Sequence, residues 1–291
     1  MTASPSAEAL RKLLGADNLL VCPVIADPLQ ARLVRMAGFP CALLGGFGVS
    51  AARFGLPDIG LITFPEMLDQ VRNTCNAVAG YPVIADGDTG YGNAMNVRRT
   101  VVEYAKAGAA CITIEDQVWP KKCGHYAGGR AVIPREEARI KIRAAVQARE
   151  AEGVDILILA RTDARSGVGL DEAMARAKLF ADEGADILFI EALQTEEELR
   201  TFAGAFHVPT WANMMPKTPL ASRAALREMG FKVVTYNLLL QASVRAVQDT
   251  LSALARDDLS SAPPQVTFDE LTSILGLPDF NAIEQHYAVG N

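Results

Sequence analysis

Two stretches of the chain carry residue types able to do chemistry. The first is "KKCGH", residues 121–125, which sets Cys123 among Lys121, Lys122 and His125 in a run rich in glycine and proline. Nearby cations lower a thiol's pKa and let it exchange protons near neutrality. Gly124, Gly128 and Gly129 give this run freedom to move. That is the layout of a lid that brings a proton donor onto a bound substrate and excludes water. A zinc site would need more Cys or His at ligand spacing, and His125 alone is close. A plain surface loop could share the composition. The second stretch is "DGDTGYG", residues 86–92, with Asp86 and Asp88; Glu115 closes the next apolar run. An all-oxygen cluster suits Mg²⁺ or Mn²⁺, whereas zinc would want His or Cys. Mg²⁺ keeps several waters, so one direct protein ligand is expected, the other acids acting through water. Alternatively, these acids cap helices or pair with Arg161. The planar fork of Arg161 matches a substrate carboxylate, and a salt bridge to Glu191 or Asp163 is compatible with that role.

Short apolar runs alternate with longer amphipathic patterns along the whole chain. Strands are expected over 19–26, 41–46, 81–88, 110–116, 155–164, 186–193, 208–215 and from 232, each followed by a helical pattern. The strands are nearly continuous in Val, Ile and Leu, which means burial on both faces of a parallel sheet. Eight strand–helix units of this length fit a (β/α)8 TIM barrel, an α/β fold. A dinucleotide-binding fold would want G-x-G-x-x-G after the first strand, and "VIADPLQ" has none.

A TIM barrel builds its active site at the C-terminal strand ends. Those ends carry Gly45 and Gly46, Asp86 and Asp88, Glu115, Arg161, Glu191, Asn213 and Tyr236. They are expected to face one cavity. Residues 1–256 read as the catalytic domain. The polar, proline-bearing run 257–265 reads as a linker, and 257–291 as a helical extension that packs on its own barrel or on a neighbour.

The bulk numbers exclude some partners. The 291 residues are 50% hydrophobic and 21% charged, with net charge -6 and pI near 5.2. That is a globular, acidic composition without a basic run, which argues against nucleic acid or an anionic membrane surface. An anionic small substrate stays open, because a few local cations reverse the field inside one cleft. No apolar run approaches the ~20 residues that span a bilayer. The N-terminus reads as a polar start and a short amphipathic helix rather than a signal peptide. The five cysteines form no C-x-x-C pair, so a reduced, cytoplasmic protein is expected.

Together, "DGDTGYGNAMNVRRTV", "IEDQVWPKKCGH", "ARTDA" and "WANM" resemble the isocitrate lyase/phosphoenolpyruvate mutase superfamily from about residue 10 to the C-terminus. The pairing of D-x-D-x-G-F/Y-G with K-K/R-C-G-H is specific to it. Within it the chain looks most like the methylisocitrate lyases, 2,3-dimethylmalate lyases and carboxyphosphonoenolpyruvate mutases. The resemblance implies a TIM barrel, Mg²⁺, and a homotetramer that swaps C-terminal helices. It implies that Asp86 holds the metal, with Asp88 and Glu115 acting through water, that Asp58 of "GLPD" lies at the site, and that Cys123 is the catalytic acid/base. Lys121, His125 and Arg161 are expected beside it in the catalytic set. Gly45, Gly46, Phe47, Gly124, Arg161, Glu191, Asn213 and Tyr236 are expected to bind substrate. Two departures stand out. Gly45 replaces the usual Ser or Thr before a glycine, so backbone N–H groups or water must hold the keto-acid carboxylate. After Asn213 the chain reads "MMPKTP" and lacks the lyases' glutamate, and Met214 and Met215 suggest a more apolar pocket. The expected reaction is retro-Claisen cleavage of a 2-hydroxy dicarboxylate. The alternatives are phosphonomutase chemistry, oxaloacetate hydrolysis or decarboxylation, and a non-catalytic barrel.

Overall fold

The computed structural model describes residues 3–124, 126, 128, 130–214, 218 and 221–287. Eight parallel strands close into one barrel in chain order. They are β1 (Leu20–Ile25), β2 (Ala42–Leu44), β3 (Val83–Asp86), β4 (Cys111–Glu115), β5 (Leu157–Thr162), β6 (Ile187–Ile190), β7 (Thr210–Met214) and β8 (Val233–Tyr236). β8 pairs back onto β1, Leu20 opposite Val233. The helices between them cover the outer faces, which is why the strands could be apolar throughout.

The interior follows the two-residue period of a strand. Leu20 and Cys22, Ile84, Cys111, Leu157 and Leu159, Ile187 and Phe189, Trp211 and Val233 share one buried cluster. Ala7, Leu10 and Leu14 of the helix Pro5–Gly15 join it and plug the N-terminal end. Two residues further along several of these strands, the same inward parity falls on Asp86, Thr113 and then Glu115, Arg161, Glu191, Asn213 and Thr235. Apolar below and polar above is the layering that turns a barrel's C-terminal end into a site.

Two helices are additional to the sequence-based expectation. Gly46–Phe54 starts directly after β2, where the reading passed straight to the helix Phe64–Ala77. Its glycines make it a poor helix former in isolation. Close packing explains Gly48, where an added Cβ would lie 3.0 Å from Ala26 Cβ. The single turn Ala164–Gly167 likewise follows β5.

The chain divides into two compact units, Met1–Leu238 and Leu239–Asn291. The second holds the helices Leu239–Ala255, Phe268–Ile274 and Leu277–Tyr287. Among the described residues no helix is long and apolar enough to cross a membrane.

Candidate active site

A cavity of about 720 Å³, counted to its open mouth, lies at the C-terminal strand ends. The loop after β3 turns tightly: Asp88 has φ +47°, and a Cβ on Gly87 would stand 2.7 Å from Thr113 O. Asp86 Oδ2 accepts from Gly46 N at 2.9 Å, and its Oδ1 accepts from Asp88 N at 3.1 Å. The hydroxyl of buried Tyr104 donates to Asp86 O at 3.0 Å. Asp86 is therefore fixed from both its carboxylate and its backbone.

Lys121 points into this cluster. Its Nζ lies 2.6 Å from Asp58 Oδ1 and 2.7 Å from Asp88 Oδ1, and the residue is 4% exposed. Burial alone would depress the Lys121 pKa, but Asp88, Asp86, Glu115 and Asp58 outweigh it and hold the ammonium well above its ordinary value. Burial raises the Asp88 carboxyl to about 6 against the pull of Lys121. Lys121 thus serves the carboxylates.

Arg161 carries a second set of pairs. Its Nε and Nη2 donate to Asp163 Oδ2 and Oδ1 at 2.8 and 2.9 Å. Glu115 Oε2 lies 3.4 Å from Nε, and Glu191 Oε2 lies 3.6 Å from Nη2. Both expected salt bridges form, and Arg161 still lines the cavity. Burial pushes the Glu115 carboxyl well above its usual range, opposed by Arg161.

These residues fit a divalent cation on chemical grounds. Six carboxyl groups surround two cations, the buried Lys121 and the partly buried Arg161. Glu115 Oε1 is buried without a hydrogen-bond partner, and Asp88 Oδ1, though ion-paired, has no aligned donor. Hard, under-satisfied oxygens in excess negative charge are what a hard cation requires. Among the described residues no three His, Cys, Asp or Glu side chains converge as direct ligands.

Cys123 lies on the cavity wall, 7% exposed, as a thiol. Its backbone N donates to Asp58 O at 3.0 Å, and Asp58 N donates to the Tyr126 hydroxyl at 3.1 Å. Gly124 packs closely on the far wall: an added Cβ would lie 3.1 Å from the Glu191 carboxyl carbon and 3.4 Å from Arg161 Nη2.

Gly45, Gly46, Phe47, Asp58, Asp86, Glu115, Lys121, Cys123, Gly124, Arg161 and Asn213 line the cavity together. Asp88 and Glu191 stand behind this lining, tied to Lys121 and Arg161. Tyr236 is elsewhere, with the Arg223 guanidinium carbon 5.7 Å from its ring centroid. The physical reason is parity: Thr235 and Asn237 face the cavity, so Tyr236 between them faces outward. Met214 is displaced likewise, one residue past the cavity-lining Asn213, so it does not make the pocket apolar. His125 and Met215 lie outside the described residues. Thr113, Thr235 and Asn237 line the cavity without having been anticipated; counting in twos from the buried cluster places them there, but adjacent buried valines at 233 and 234 leave that phase open in the sequence. Thr235 is structural in part: its hydroxyl accepts from Trp211 Nε1 and lies 3.0 Å from Asn213 Oδ1.

Comparison with known proteins agrees with this geometry. The family model described as phosphoenolpyruvate phosphomutase matches residues 10–255. A 2,3-dimethylmalate lyase of Eubacterium barkeri is 41% identical over 290 residues, 98% of this chain and 99% of that protein. A 2-methylisocitrate lyase of Aeropyrum pernix is 40% identical over 278 residues, 93% and 87% of the two chains. The chloroplastic carboxyvinyl-carboxyphosphonate phosphorylmutase of Arabidopsis thaliana is 38% identical over 289 residues, 95% and 83%. Among solved structures, oxaloacetate acetylhydrolase with 3,3-difluorooxalacetate superposes with TM-score 0.92 at 32% identity, covering 97% of each chain. Phosphonopyruvate hydrolase with oxalate and Mg²⁺ superposes with TM-score 0.84 at 29% identity, covering 97% and 99%. This chain belongs to the phosphoenolpyruvate mutase/isocitrate lyase family and is an enzyme of its carbon–carbon lyase branch.

Proposed function

We propose that the chain cleaves a 2-hydroxy, alkyl-substituted dicarboxylate into a 2-keto acid and a carboxylate, with Cys123 as general acid. The observation that carries this reading is the thiol of Cys123 on the wall of the cavity that Asp86 and Glu115 also line. Mg²⁺ or Mn²⁺, held by Asp86 directly and by Asp88 and Glu115 through water, would polarise the oxygens of the 2-hydroxy acid. Backbone N–H groups of the first turn of Gly46–Phe54 beyond Gly46, whose own N–H is bonded to Asp86, would take the adjoining carboxylate, since a helix N-terminus favours an anion and Gly45 offers no hydroxyl. Arg161, with Asn213, takes the other acid group. The substrate's hydroxyl proton leaves to a basic group of the rim. The C2–C3 bond breaks, the hydroxyl carbon becomes the ketone, and the electron pair passes to the leaving carboxylate's α-carbon. Cys123 protonates that carbon. Lys121 keeps Asp58 and Asp88 in register, and Gly124 lets the segment close against Glu191 and exclude water.

The trial order is 2,3-dimethylmalate and other alkylated malates, then methylisocitrate, then oxaloacetate, each with and without Mg²⁺. Cys123→Ser is expected to lower kcat by about 10²–10⁴-fold with the melting temperature retained. Full activity in that variant would remove Cys123 from the role. The buried Asp58–Lys121 pair also favours a second reading, phosphoryl transfer between oxygen and carbon. It predicts turnover of a phosphonate or enol-phosphate and none of a malate.

We further infer a homotetramer in which residues 257–291 are exchanged between subunits whose catalytic domain is 1–256. Exposed apolar side chains in the second unit, Val247, Leu251 and Leu254 and then Phe268, Phe280 and Ile283, support it. Sedimentation of the full chain tests it. A reducing, cytoplasmic setting would keep Cys123 a thiol.

A further inference from the structure

Arg130 has no part in the chemistry above, yet it is 4% exposed. Its Nη2 donates to Cys123 O at 2.6 Å and to Tyr126 O at 3.1 Å, and its Nη1 donates to Gly128 O at 2.6 Å. Nε is buried without a partner, and no carboxylate among the described residues pairs with it. A buried guanidinium answered only by carbonyl dipoles is costly to place. Something must hold it there, and the neighbouring turn does. Arg130 N donates to Ser166 Oγ at 3.3 Å. Gly167 leaves room for the backbone, since an added Cβ would sit 2.1 Å from Arg130 O. Ser166 and Gly167 belong to the turn that follows β5, the strand that delivers Arg161. The peptide groups on both sides of Cys123 are therefore held: its N–H by Asp58 O, its carbonyl by Arg130.

We propose that Arg130 is a positioning residue that sets the Cys123 thiol over the cavity, and that Ser166 and Gly167 anchor it to the end of β5. The proposal rests on the reading of Cys123 as proton donor for its effect on turnover, but its structural part does not. Arg130 does not line the cavity. Its carbonyl bonds need a forked donor, which a lysine reaches only in part.

The test is peptide-resolved alkylation of Cys123 by iodoacetamide in the full-length protein, read beside kcat, KM and melting temperature. Arg130→Ala is expected to change the Cys123 alkylation rate by about tenfold or more and to lower kcat by a similar factor, with KM moved less. Arg130→Lys should fall between Arg130→Ala and the unsubstituted enzyme. Gly167→Ala should reproduce the phenotype without touching the guanidinium. Ser166→Ala, a milder change that preserves folding, should give a smaller shift in the same direction. Unchanged alkylation in folded Arg130→Lys and Ser166→Ala would overturn the proposal, as would a change in melting temperature alone. If Cys123→Ser keeps full activity while the alkylation shifts appear, the proton-donor reading fails and the positioning role of Arg130 stands.

Discussion

The carboxylate rim and the Cys123 segment meet at one cavity, yet they are held in different ways. Asp86, Glu115 and Arg161 hang from adjacent barrel strands; Glu115 and Arg161 pair side chain to side chain, and the Asp86 carboxylate is fixed by the backbone N–H groups of Gly46 and Asp88. Among the described residues, the segment from Gln117 to Val132 has a single isolated antiparallel bridge, between those two residues. Beyond it the segment is tied by a few side chains and single backbone bonds: Lys121 by ion pairs to Asp58 and Asp88, Cys123 N to Asp58 O, Val118 N to Ala131 O, Gln117 on both backbone groups of Lys122, and Arg130 on Cys123, Tyr126 and Gly128. Elements paired on both sides open only with the whole fold, whereas a segment held by a few side chains opens locally. The rim should therefore couple chemistry to stability, and the segment should couple chemistry to position.

Substitutions can break that contrast. Asp86→Asn has the largest expected effect, a loss of about a thousandfold in kcat/KM together with weakened Mg²⁺ binding, because a neutral amide lacks the charge that holds the cation. Calorimetric titration with Mg²⁺ checks it, and undiminished affinity would take Asp86 out of the site. Next is Arg176→Ala, at the foot of the segment. Arg176 Nη1 donates to Asp116 Oδ2 at 3.0 Å and Nη2 to Ile133 O at 2.8 Å, both buried. Removing it leaves the buried Asp116 without its cation, answered only by the Thr162 hydroxyl and the Asp163 N–H, which costs about 3–5 kcal/mol. Denaturant unfolding measures this, and an unchanged midpoint would mean the foot is not part of the barrel's cooperative unit.

Arg161→Lys should cost about ten- to a hundredfold in kcat/KM, since one ammonium cannot span Asp163, Glu115 and Glu191 as the fork does. If the rim couples chemistry to stability, the melting temperature falls as well; a loss of activity alone would blur the distinction from the segment. The smallest effect lies far from the site. Arg11 beside Asp155 holds that carboxyl below its usual range. A depressed folded-state pKa gives stability that is present above the unfolded value, about 3.9, and is lost as pH falls through the folded one. Asp155→Asn should therefore flatten the acid limb of the stability profile below about pH 4, modestly, because Arg11 is partly exposed and screened. An unchanged acid limb would assign the pair no role.

The amino-acid sequence by itself determined the barrel and most of its rim. Eight buried apolar runs with helical patterns between them admit few other solutions, and strand ends mark the active face whatever the details. Asp86, Glu115 and Arg161 were legible for that reason, and Cys123 from the cations and glycines around it. Contact across the chain was not. Tyr236 and Met214 sit at strand ends too, and the parity that turns them from the cavity shows only once register with neighbouring strands is known. Lys121 reads as a cation beside a thiol, but the fold delivers Asp58 and Asp88 to it from segments more than thirty residues away. Arg130 reads as one more polar residue in a loop. Only tertiary structure buries it and turns it on the carbonyl of Cys123, because a hydrogen bond's value depends on the solvent that packing removes.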